Sequence, residues 1–130
     1  NNNRNAMTTD GTARIMEEIM QNIIFDEKNI NLKNCLFRQI KEQSQDKDAN
    51  NQINGFLGEG LPQNIPFWSK AGLMSEARND AAWWINKNQS KTLLVVFTEG
   101  KEFANDNNFL PEFSKAIYEF IHSEKLINLP

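Results

Sequence analysis

Two residue counts restrict the chemistry open to this sequence. Cys35 is the only cysteine and His122 the only histidine. An intrachain disulfide and a multi-histidine metal centre are therefore excluded, and a Ser-His-Asp or Cys-His arrangement would have to run through His122. His122 falls near the end of a helical stretch, where a cation favours the helix dipole, so it needs no catalytic role. Ser44-Gln45-Asp46-Lys47 has the Ser-x-x-Lys spacing that places a nucleophile and a proton acceptor on one helical turn. That chemistry requires a desolvated, neutral lysine. Gln43 to Asp48 is polar and carries two aspartates, which keep Lys47 charged, so Ser44 is not expected to react. The stronger candidates are Lys70-Ala71-Gly72 and Arg78. An ammonium at a strand end attracts anions and lowers the proton affinity of nearby hydroxyls, and Gly72 lets a ligand backbone lie close. A strand-end lysine reaching for water gives the same pattern. Arg78 could grip a carboxylate bidentately, or pair with Glu76 or Asp80 at i±2 on its own strand.

The elements that would position these residues follow from periodicity. Residues 1–6 read as a linker. Thr8-Thr9-Asp10 offer N-cap side chains, and Ala13, Met16, Ile19, Met20, Ile23 and Ile24 recur at helical spacing. A second helix is expected over 31–43 and an apolar turn at Ile53-Phe56-Leu57, so that 7–60 is helical with an exposed connection at 44–51. From 66 to 99 the pattern predicts a three-stranded meander: Pro66 to Gly72, Glu76 to Ile85, and Lys91 to Thr98. The short turns make the neighbours antiparallel, and the run Leu93-Leu94-Val95-Val96-Phe97 suggests burial on both faces. Trp83 and Trp84 point to opposite faces, so at least one is core. Residues 99–108 read as a polar loop. Pro111 then opens a last helix over 109–125, striped by Phe113, Ile117, Phe120 and Ile121. The expected fold is α+β, an antiparallel sheet flanked by helices, with the 130 residues forming a single segment.

Composition narrows the partners. Fourteen Lys+Arg against seventeen Asp+Glu give a formal net charge of −3, and no basic run is present, which argues against nucleic acid. No apolar run is long enough to span a bilayer. The polar opening Asn1–Asn5 lacks the make-up of a signal peptide.

Three segments taken together resemble the C-terminal part of class A β-lactamases and their penicillin-recognising serine-hydrolase relatives. They are Trp68-Ser69-Lys70-Ala71-Gly72, Glu76-Ala77-Arg78-Asn79-Asp80-Ala81-Ala82, and Leu94-Val95-Val96-Phe97-Thr98-Glu99-Gly100. Upstream, Met7-Thr8-Thr9-Asp10-Gly11-Thr12-Ala13-Arg14 resembles the family's Thr-Thr helix start. The resemblance covers about residues 7 to 122. It implies acyl transfer to a serine followed by hydrolysis of an amide or ester, possibly a β-lactam, with no cofactor or metal and a periplasmic or secreted bacterial setting. It assigns Lys70 and the Leu73 backbone N–H, one half of an oxyanion hole, to catalysis, and Ala71, Gly72 and Arg78 to the substrate. Ala71 departs from the family, whose Thr or Ser here bonds the β-lactam carboxylate. Ser69, beside Lys70, faces the other side of the strand and does not replace that hydroxyl. The family's nucleophile, its Ser-x-Asn and its loop glutamate all lie upstream, so an N-terminal segment or a second chain would have to supply them, and this chain alone is expected to be inactive. Glu124-Lys125-Leu126-Ile127-Asn128 echoes the loop's Glu-x-x-x-Asn spacing at the far end of the chain and is read as coincidence. The alternative is a non-catalytic binding or scaffold domain that keeps the fold, which Ala71 favours.

Overall fold

The computed structural model describes residues 6–21, 32–40 and 51–123. Ser44, Lys47, Glu124, Asn128 and the expected helix extensions at 22–24, 41–43 and 124–125 lie outside the described residues. Helix α1 runs Thr9–Met20; the Thr8 side chain caps it by accepting the Gly11 N–H at 3.0 Å. A short helix α2 at Leu32–Leu36 passes directly into strand β1, Phe37–Arg38. Strands β2 (Phe67–Met74), β3 (Ala77–Ile85) and β4 (Lys91–Val96) follow, then helices α3 (Lys101–Asn105) and α4 (Phe109–Ile121). The strands form one antiparallel sheet in the order β1-β2-β3-β4.

The alternation of side chains along each strand divides the core in two. On one face Phe67, Ala71, Ala82 and Trp84 pack with Leu57 and Leu110, joined by Leu94 and Val96. On the other, Ala81 and Trp83 pack with Met16 and Met20 of α1, joined by Trp68, Leu93 and Val95. Helices thus cover both faces, as the α+β reading requires, and both tryptophans are core.

Three local expectations are corrected. The segment 7–60 is not helical throughout, because Phe37 and Arg38 pair with Trp68 and Phe67 of β2; the helical spacing of Leu32, Cys35 and Leu36 is realised in α2, but tertiary pairing ends the helix there and overrides its expected continuation through Ile40. The loop at 99–108 contains α3, which follows Gly100 at φ 117 and buries Ala104. The apolar run in β4 is only half-buried on each face. Its side chains do meet both core halves, but β4 has a strand neighbour on one side only among the described residues.

A 3-10 turn at Leu57–Gly60 carries the contact between the sheet and α4. A Cβ at Gly60 would collide with the Pro111 carbonyl, and the Ser114 hydroxyl donates to the Leu57 carbonyl at 2.6 Å. This close approach fixes the loop that forms one wall of the candidate site.

Candidate functional site

The outer edge of β2 beyond β1 is where the sequence candidates meet. Pro66 accepts from Ile85 across the β2–β3 pair, so the even-numbered residues of β2 turn their backbone groups toward β3. Ala71 and Leu73 turn theirs outward. The Ala71 N–H donates to the Gln52 side-chain oxygen at 2.9 Å, and the Leu73 N–H lies two residues further along the same edge. Lys70 is exposed, and its ammonium donates to the Ala71 carbonyl. Asn51, Gln52, Phe56, Lys70, Ala71, Gly72 and Leu73 enclose a groove of about 270 Å³. Among the described residues nothing lies within 4 Å of a Cβ placed on Gly72, and Leu73 is 57 % exposed. Lys70, Gly72 and the Leu73 N–H are therefore brought together on open ground.

Ala71 and Arg78 are placed differently. The Ala71 side chain turns away from the groove into the core, directly opposite Asp80. Ser69 shares that face rather than the opposite one, and burial is what keeps its hydroxyl from the groove. Arg78 is buried. Its guanidinium donates to the Gly55 carbonyl at 3.1 Å, to the Ala104 carbonyl at 2.9 and 3.3 Å, and to the Asn107 side-chain oxygen at 2.8 Å. It also lies 5.1 Å from the centre of the Phe56 ring. It makes no ion pair with Glu76 or Asp80 among the described residues.

The stretch Arg78-Asn79-Asp80 works as three pins. Arg78 holds the Gly55 and Ala104 carbonyls, the Asn79 side-chain oxygen accepts the Thr98 N–H at 2.9 Å, and Asp80 Oδ2 accepts the Leu57 N–H at 3.0 Å. Gly55, at φ 77 and packed on the guanidinium, leaves no room for a side chain. Asp80 is 1 % exposed, and its Oδ1 has no hydrogen-bond partner among the described residues. Burial pushes its carboxyl up to about 7, against the Leu57 and Ala81 N–H dipoles and the Lys70 and Arg38 charges, which favour the ionised form.

The sequence reading missed Gln52, Phe56 and the pinning role of Asp80. Gln52 stands in a polar run with no motif, and only the fold brings it to β2. His122 caps α4, with Nδ1 2.7 Å from the Tyr118 carbonyl and its ring stacked on Tyr118. Cys35 is a free, exposed thiol. Among the described residues no His, Cys, Asp and Glu side chains gather to hold a metal ion, and no helix is long and apolar enough to cross a membrane.

The sequence profile of the Beta-lactamase enzyme family matches residues 1–121. None of the curated proteins is a significant match. A β-lactamase from Burkholderia vietnamiensis superposes with a TM-score of 0.68 at 14 % identity, over 92 % of this chain and 44 % of its own. A class A β-lactamase from Bacteroides cellulosilyticus gives 0.62 at 22 % identity, over 88 % of this chain and 41 % of its own. The structure described as PBP-A gives 0.63 at 16 % identity, over 91 % and 44 %. At these identities the likeness is one of fold, and the chain spans less than half the length of each of these structures.

Proposed function

Because the chain belongs to the β-lactamase enzyme family, we propose that it forms the C-terminal part of a serine hydrolase. Its substrate would be an amide or ester, β-lactams included. In this reading another segment supplies the serine and the base. The base takes the hydroxyl proton, the serine oxygen attacks the carbonyl carbon, and negative charge develops on the carbonyl oxygen. The Leu73 N–H, aimed outward from β2, donates to that oxyanion, and the Lys70 ammonium adds fixed positive charge beside it. The carbon–nitrogen or carbon–oxygen bond then breaks as the leaving group is protonated, and water releases the acyl group by the same steps. The observation that carries this reading is the open ground at Gly72 between Lys70 and Leu73.

The test is Lys70→Ala in the full-length protein. Acylation by a chromogenic β-lactam should fall by about 10²–10⁴-fold, with the melting temperature nearly unchanged because the side chain is exposed. An unchanged rate would remove Lys70 from the site.

A specific observation favours a second reading, a non-catalytic binding module. Ala71 offers no hydroxyl and its Cβ faces the core, while the Arg78 guanidinium is engaged by Gly55, Ala104 and Asn107. Two anchors for a β-lactam carboxylate are thereby absent from the groove. Slow or undetectable acylation combined with retained ligand binding would support that reading.

A further inference from the structure

We propose that Gln52 is a displaceable cap on the free edge of β2, and that rotation of its side chain gates access to that edge. The inference rests on reading the same edge as the ligand-binding one. A strand edge offers alternating N–H and C=O groups to whatever adds beside it. At Ala71 both groups are already taken by side chains: the N–H by the Gln52 oxygen at 2.9 Å and the carbonyl by the Lys70 ammonium. The Gln52 carboxamide thus stands where an incoming ligand would place its acceptor.

The backbone on the C-terminal side of Gln52 is tied down independently of its side chain. Asn51 Oδ1 accepts the Ile53 N–H at 2.8 Å and the Asn54 N–H at 3.1 Å. Arg78 holds the Gly55 carbonyl and Asp80 the Leu57 N–H. Release of the cap therefore needs no movement of the loop. It needs one half-buried side chain to change rotamer and one neutral hydrogen bond to break. A ligand oxygen that accepts the Ala71 N–H must outcompete that bond. Gln52 is a gating residue, and it takes no part in bond making.

The test uses the full-length protein, Gln52→Ala and Gln52→Glu, with two readouts: hydrogen exchange at the Ala71 amide, and the rate of acylation by a chromogenic β-lactam. Removing the cap should speed exchange at Ala71. It should also raise the acylation rate about two- to tenfold, the equivalent of one neutral hydrogen bond. Glutamate accepts the same N–H with charge assistance and should slow both. Slower acylation in Gln52→Ala would overturn the proposal, because Gln52 would then be holding the ligand. Equal exchange at Ala71 in wild type and Gln52→Ala would overturn it too. If no variant acylates, the serine-hydrolase reading fails, and the exchange comparison decides the cap by itself.

Discussion

Removing the Arg78 guanidinium distinguishes a structural pin from a ligand contact. Two of its acceptors, the Gly55 and Ala104 carbonyls, belong to buried residues that water does not readily reach, whereas Asn107 is exposed and can turn to solvent. A buried acceptor left without a donor costs about 1–3 kcal/mol. Arg78→Ala should therefore destabilise the fold by about 2–5 kcal/mol, with relief of the buried charge tempering the upper end. That is a large share of a domain's usual stability of about 5–15 kcal/mol. Arg78→Lys keeps the charge but loses the planar fork, so one carbonyl goes unmet and the cost should be about 1–3 kcal/mol. Urea unfolding of the full-length protein, followed by intrinsic tryptophan fluorescence, gives the midpoints. A guanidinium turned toward a ligand carboxylate would behave in the opposite way. Arg78→Ala would then unfold at the parent's urea concentration while binding carboxylate ligands more weakly, and that pair of results would refute the pin.

Asp80 should give an inverted pH dependence. Its folded carboxyl is raised from 3.8 to about 7, so this contribution to stability is fully present below pH 4 and is lost as pH rises toward 7. The slope is at most about 1.4 kcal/mol per pH unit. Asp80→Asn should flatten it, so that the variant gains on the parent from pH 5 to pH 8; parallel curves in chemical denaturation would contradict the assignment. Ala71→Ser places a hydroxyl across the strand pair from Asp80, whose Oδ1 lacks a partner among the described residues, and should stabilise the protein by about 1 kcal/mol at pH 8. A lower melting temperature would mean that packing strain outweighs the new bond. The 130-residue polypeptide by itself should take up no fluorophosphonate label and should associate through the edge of β4 that has no strand neighbour among the described residues. Labelling of any serine, or a cooperatively unfolding monomer by light scattering, would count against the half-fold reading.

Periodicity and turn spacing sufficed for β2, β3, β4, α4 and the start of α1, because each buries a face whose spacing is local: Trp83 and Trp84 alternate, and Met16 and Met20 are one helical turn apart. The resemblance of Lys70-Ala71-Gly72 and Arg78-Asn79-Asp80 to family motifs was legible from residue identity and order instead. The conversion of Phe37–Arg38 into a strand was not, because its stabilisation comes from Trp68 and Phe67, some thirty residues away. Nor was the division of labour within the motifs. Lys70 and Gly72 face open ground, while Arg78 and Asp80 turn inward to hold the loop at Gly55 and Leu57, which the sequence marks as an apolar turn but does not link to β3. Residue type decides which hydrogen bonds a side chain is able to make. Which of them it makes depends on the buried carbonyls and N–H groups that the rest of the chain brings within reach, and for Arg78, Asp80 and Gln52 only the tertiary structure supplies them.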